Sequence, residues 1–263
     1  MKFEKPQTGN PHRLTVNQHV FPKSCISRFC NSDGVVQLFS RKLGRVIELA
    51  PGNDFFCVKR MWDQSAEAGI GKRAEDRFVR LARGIISGSV KTVGVFEKAI
   101  VEEFFSLWRT RHKFKVEGLP DIKLEGLSGD QLTKDEQEIL ESKHVSFMLE
   151  GVMPGRFAAS IHLFGFHQQF AINNHQMQWG IVRAGQGEFI VPDCFQDMMV
   201  IPLTPTIAIA ADQSDSVLTI DEVATVNQLA LTRVTDYFFA RNFSRCPVIK
   251  RSPPRLQRMF VPD

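Results

Sequence analysis

The hydrophobic period of this chain changes along its length, and that change restricts the fold more than any single motif. From Lys72 to Ser87 apolar residues recur at helical spacing. Ala74, Phe78, Leu81, Ala82, Ile85 and Ile86 share one face, with Arg73, Arg77, Arg80 and Arg83 opposite. A second helix is expected over about 95–113, burying Phe96, Ile100, Phe104, Leu107 and Trp108. Thr133-Lys134-Asp135-Glu136 has the spacing of a capping box for a helix reaching about Glu150. Residues 156–171 are apolar nearly all round, as a central buried helix would be. Beyond Trp179 the pattern shortens: 179–183, 188–191, 199–203 and 207–211 read as successive strands separated by turn residues. Thr219-Ile220-Asp221-Glu222 then opens a long helix to about Asn242, with Val223, Val226, Ala230, Val234 and Phe238 inward.

Upstream, 35–40 and 45–49 flank Arg41-Lys42-Leu43-Gly44 as a β-hairpin. The expected fold is therefore α+β: a helical middle region packed with a short antiparallel sheet, an N-terminal β-hairpin and a long C-terminal helix. Residues 1–16 read as an arm, 17–242 as one domain with a loop or insertion at 115–129, and 243–263 as a basic tail containing Ser252-Pro253-Pro254.

Asn17-Gln18-His19-Val20-Phe21-Pro22 is the densest polar motif. Proline keeps the residue before it out of the helical region, so the box is expected to be extended with its side chains fixed in direction. A histidine there serves as a general base, a ligand or a hydrogen-bond anchor.

Polar residues projected onto apolar helix faces supply the remaining candidates. Glu75 lies beside Ala82 and Ile86, Arg111 falls inside the arc of Phe104, Leu107 and Trp108, and Asn227 sits among Val223, Ala230 and Val234. Buried charges must be paired and buried amides bonded. Asp193 ends a predicted strand in Val191-Pro192-Asp193-Cys194. These four and His19 are expected to meet in one interior pocket, as active-site groups from distant segments do. The bland alternatives stand beside this: Glu75 and Arg111 as an ion pair, Asn227 as a hydrogen-bond hub, Asp193 as a turn cap, His19 pinning its own strand. Arg109 projects to solvent, and His144 falls on an apolar face near Leu140 and Met148 as a core histidine would.

With 22 phenylalanines, the chain has enough aromatic surface for a substantial core without staples. Its five cysteines show no paired framework and no metal-binding spacing, which reads as reduced thiols. No leader-like apolar run opens the chain and no stretch is long enough to span a bilayer, so a cytoplasmic location without membrane contact is expected. Nucleotide phosphate loops and nucleophile elbows have no motif here. Net charge is +4, and basic residues gather at 72–83, 109–115 and 241–258. These read either as solvated helix faces or as a nucleic-acid surface.

Taken in order, several motifs resemble a bacterial family of unknown function. Its members open with a Gln-His-aromatic-x-Pro box, here Gln18-His19-Val20-Phe21-Pro22, followed by Ile26-Ser27-Arg28-Phe29 and a hairpin from Gly34 to Arg41. Glu75, Arg109-Thr110, Trp179, Asp193, Pro202-Leu203-Thr204-Pro205 and Asn227 match further positions. The chain departs from the family in having Val191-Pro192-Asp193-Cys194-Phe195 for Thr-Ser-Asp-Asn-Pro, and Arg111 where a proline follows the Arg-Thr pair. The resemblance implies a shared fold and pocket rather than a mechanism.

Two functional expectations follow from the polar set. One is a hydrolase acting on nucleic acid or a nucleotide, such as a toxin or phage-defence effector. His19 would be its acid–base group, Glu75 or Asp193 would orient it or hold a divalent ion, and Arg111 or Arg109 would stabilise negative charge. The other is a non-catalytic module or partner subunit that binds nucleic acid, a ligand or a protein through the same residues.

Overall fold

Trp108, Phe104 and Phe105 are all fully buried on one helix, and the rest of the chain is arranged around it. The computed structural model describes residues 4–249 apart from 130, 196, 197 and 233. The fold is α+β.

The box forms β1 (Asn17–His19), followed by a single turn, α1 (Lys23–Ile26). The expected hairpin is β2 (Val36–Ser40) and β3 (Arg45–Leu49), and β4 (Cys57–Lys59) returns to pair with β1. Gln18 is buried beside this pair: its side chain accepts from Trp62 N–H at 3.1 Å and donates to Trp62 C=O at 2.7 Å. An amide at that place satisfies two backbone groups that no strand reaches.

A π-helical stretch, Ser65–Gly71, runs into α2 (Lys72–Ser87), which ends at Gly88 with φ of 79°. The central helix is α3 (Val95–Glu117), entered where Glu97 accepts from Gly94 N–H at 3.1 Å. Phe78 of α2 and Phe104 of α3 stack with centroids 3.7 Å apart. Beyond α3 come the two-residue β5 (Ile122–Lys123), α4 (Lys134–Ser142) and β6 (Val152–Met153), with β5 and β6 paired. The segment expected as a loop at 115–129 thus begins as the last turn of α3 and includes β5. The capping box at Thr133 forms, with its hydroxyl bonded to Glu136, but the helix stops at Ser142 rather than Glu150. His144 lies beyond it, exposed and with φ of 63°, so it is not a core histidine.

α5 (Ala159–Asn173) overturns a second expectation. It lies on the surface against α3: Ala159 and Leu163 are buried, while Ile161 is 71% and Phe164 64% exposed. Its lack of any charged residue mimicked a buried helix. The nearly all-round burial belongs instead to the middle of α3, over 101–112.

Two four-stranded sheets complete the fold. β7 (Trp179–Ala184), β9 (Val200–Thr204), β10 (Ile207–Ala211) and β11 (Ser216–Leu218) stand in the order β11-β7-β10-β9. β8 (Val191–Pro192) belongs to the other sheet. α6 (Ile220–Thr232) ends well short of Asn242, and Tyr237–Ala240 is strand β12. The run Thr232 to Asp236 carries β-branched residues, and the backbone N–H groups of Thr235 and Asp236 are bound by Asp193, which holds the chain out of a helix. β12 lies between β2 and β8 in the order β3-β2-β12-β8, with Phe239 opposite Leu38 and Val191.

The N-terminal segment is tied to this body. Glu4 bridges Arg156 and Lys134, and Gln7 N–H donates to Glu138 at 2.8 Å. Of the basic tail, positions 250–263 lie outside the described residues. No described helix is long and apolar enough to cross a membrane.

Candidate functional site

Helix α3 carries Arg111 and His112 side by side in sequence, and both are buried. Consecutive helical residues point about 100° apart, so the two side chains serve different regions of the molecule.

Arg111 turns toward the N-terminal half. Its guanidinium pairs with Glu75, meets Glu67 at 3.1 Å, and donates to the backbone oxygen of His19 at 3.2 Å. It also lies 5.1 Å from the Trp62 ring centroid, an electrostatically favourable stacking distance. A Cβ on Gly71 would collide with this guanidinium, so glycine is required there. The projected pairing of Glu75 with Arg111 is what the structure contains.

His19 is half-buried beside the same cluster. Its Nε2 is 3.2 Å from the Pro51 carbonyl and its Nδ1 is 3.5 Å from the Cys57 thiol. The carbonyl can only accept, so Nε2 carries the proton and Nδ1 accepts from S–H. Burial pushes the His19 pKa down, against the bond to Pro51 and the charges of Glu75 and Glu67. Both ring nitrogens are therefore engaged within the fold.

Asp193 lies elsewhere, buried below β12. Its carboxylate accepts from the backbone N–H groups of Cys194 at 3.0 Å, Thr235 at 3.0 Å and Asp236 at 2.6 Å. Its backbone oxygen accepts from the Trp108 indole at 2.9 Å. Nε2 of His112 is 3.6 Å from the same carboxylate. Asn227 occupies a third place. It accepts from Ile190 N–H at 2.8 Å and donates to the backbone oxygens of Glu188 and Pro247, each at 2.9 Å.

The five residues expected in one chamber therefore divide by contact into three groups: His19 with Glu75 and Arg111, Asp193 with His112, and Asn227 with Glu188. Helical projection identified the faces that turn inward. It could not show that the interior is reached from several sides by a helix buried nearly all round.

A cleft of about 510 Å³ opens between α3 and α5, with Thr235 also on its wall. His112, Arg109, Lys113, Thr110, Gln169 and Phe170 line it. Arg109 is half-buried against Phe105 rather than facing solvent as projected, and the Lys113 ammonium lies 4.6 Å from the Phe166 ring centroid. Glu117 at the rim, 3.8 Å from Lys113, supplies the one carboxylate on the wall. The wall thus offers two cations, hydroxyl and amide groups, and an imidazole backed by a buried carboxylate. A geometry of this kind suits an oxyanion such as phosphate.

His112 carried a usable signal: it is four residues after Trp108, so the two share a helix face. Among the described residues, no group of three His, Cys, Asp or Glu side chains is placed to hold a metal ion. No family model, curated protein or solved structure matches this chain.

Proposed function

We propose that the α3–α5 cleft binds a phosphodiester of nucleic acid or a nucleotide, and that His112, with Asp193 beside it, is its acid–base group. The carrying observation is the 3.6 Å approach of His112 to a carboxylate whose position is fixed by three backbone N–H groups. A carboxylate beside an imidazole stabilises the positive charge that the ring carries when it takes up a proton. In hydrolysis the imidazole takes a proton from the attacking water as the new P–O bond forms. Arg109 and Lys113 face the charge that develops on the phosphoryl oxygens as the old P–O bond breaks, and the imidazolium gives its proton to the leaving oxygen.

The family resemblance bears on the pocket and not on the mechanism: the positions it matches at Arg109-Thr110 and Asp193 border this cleft or its histidine. On this reading His19, Glu75 and Arg111 hold the helix that carries the site.

The test uses single-stranded RNA and DNA oligonucleotides with wild type, His112→Ala and Arg109→Gln, with and without a divalent metal. Cleavage by wild type that His112→Ala abolishes while the melting temperature is kept is the expected result. Equal cleavage by both proteins overturns the assignment. Binding without turnover, lost in Arg109→Gln, would establish the non-catalytic alternative.

A further inference from the structure

A second polar cleft, of about 300 Å³, opens where the end of β12 meets the turn before β2. Asn31, Ser32, Gln37, Arg241, Asn242 and Arg245 line it. Beneath the arginines lies Glu188, whose side chain is only 1% exposed. Its Oε1 meets Arg241 Nη2 at 2.5 Å and Arg245 Nε at 2.9 Å, and its Oε2 accepts from Arg241 Nε at 3.2 Å.

One carboxylate therefore faces two guanidinium groups, and among the described residues no second carboxylate pairs with either. Glu188 engages the inner edges of both forks. Among the described residues, Nη1 of Arg241 and both Nη atoms of Arg245 have no further ion pair, on side chains 36% and 64% exposed. The charge is held firmly, since the bonds to Glu188 push the Arg241 pKa up. The platform is also braced from behind. Asn227 binds the backbone of Glu188, Glu188 N–H donates to Arg245 C=O at 2.9 Å, and Gln37 accepts from Phe243 N–H at 2.9 Å. Two pre-oriented guanidinium forks beside neutral hydrogen-bonding groups recognise a tetrahedral oxyanion better than lysines do, because their donors are fixed in a plane.

We infer that the Arg241–Arg245 cleft is a binding site for a phosphomonoester group, distinct in its residues from the α3–α5 cleft and independent of any chemistry there.

The experiment is isothermal titration of the full chain with inorganic phosphate, AMP and adenosine, using wild type, Arg245→Gln, Arg245→Lys and Arg109→Gln/Lys113→Gln. Arg245 is the more exposed arginine, so its loss leaves Glu188 paired with Arg241 and the fold intact. Expected are saturable binding of phosphate and AMP by Arg109→Gln/Lys113→Gln, whose first cleft has lost both cations, and none of adenosine. Affinity should be at least about tenfold weaker when Arg245→Gln is added to that background. Arg245→Lys should fall between the two. Adenosine binding as tightly as AMP, affinity unchanged when Arg245→Gln is added to that background, or AMP binding lost already in Arg109→Gln/Lys113→Gln would each overturn the inference.

Discussion

The imidazole of His112 stands 3.6 Å from the carboxylate of Asp193, although eighty residues separate them in the chain. Asp193 has two relationships at this point: it lies beside the ring, and it caps the turn that leads into β12. Separating the two requires two substitutions. Asp193→Asn keeps the shape and one acceptor oxygen, and is expected to lower turnover by roughly 10²-fold or more with a modest loss of stability. Asp193→Ala leaves three N–H groups without their acceptor, the Cys194 one fully buried, and should cost on the order of 2 kcal/mol. Oligonucleotide cleavage and urea denaturation read the two effects.

Around Arg111 the expected outcome is structural. Arg111→Met leaves Glu67 and Glu75 facing a buried apolar chain, and should destabilise by roughly 3 kcal/mol. Gly71→Ala should act in the same direction by displacing the guanidinium. His19→Gln, by contrast, is expected to leave cleavage per folded molecule unchanged, since both ring nitrogens serve the fold. A loss of activity in His19→Gln at unchanged melting temperature would return the chemistry to the N-terminal box.

Asp63 supplies a pH signature. Burial pushes its pKa up from 3.8 to about 6, against bonds from the Ala66 and Ser65 backbone and with some help from Glu141. The folded chain therefore binds this proton more tightly than the unfolded chain does. The contribution is present in full below about pH 4, is lost as pH rises toward about 6, and stays lost above it. Asp63→Asn keeps the acceptor for Ala66 N–H and has no charge to bury. It should be more stable than wild type above pH 6 by on the order of 2–3 kcal/mol, with the gain vanishing near pH 4. Urea titrations of both proteins across this range check the sign.

The outward face of α5 makes a prediction of near-zero effect. Ile161→Ser and Phe164→Ser should change unfolding free energy by no more than about 0.5 kcal/mol while reducing the binding of hydrophobic dyes. Leu163→Ala, one position away but turned inward, should cost roughly 2–4 kcal/mol. Comparable losses at all three positions would mean that the helix is covered.

Much of this fold was legible because its signals are local. The apolar stripe of α2, the hairpin of β2 and β3, and strands β7, β9 and β10 follow from period and turn residues alone. Arg111 with Glu75 was legible for a related reason, since a charge on an apolar face must find a counter-charge. Three features defeated local reading. α5 has no charge, and the absence of charge does not reveal whether a helix is covered. Val234 and Phe238 continue the helical spacing of α6, yet Asp193, forty residues upstream, captures the intervening backbone and turns the chain into a strand. The separation of His19, Asp193 and Asn227 depends on which sides of α3 the segments approach, and periodicity carries no such information.

β12 has a consequence for the order of events during synthesis. It is the inner strand that joins the Val36–Ser40 strand to Val191–Pro192, so the hairpin made in the first fifty residues waits with an open edge while nearly two hundred more are added. Long waits of this kind slow folding and expose unpaired strand edges to other chains. A nascent chain halted before Thr235 would hold His112 but lack the Thr235 and Asp236 amides that fix its carboxylate. The His112–Asp193 pair is thereby withheld until Thr235 and Asp236 have been made.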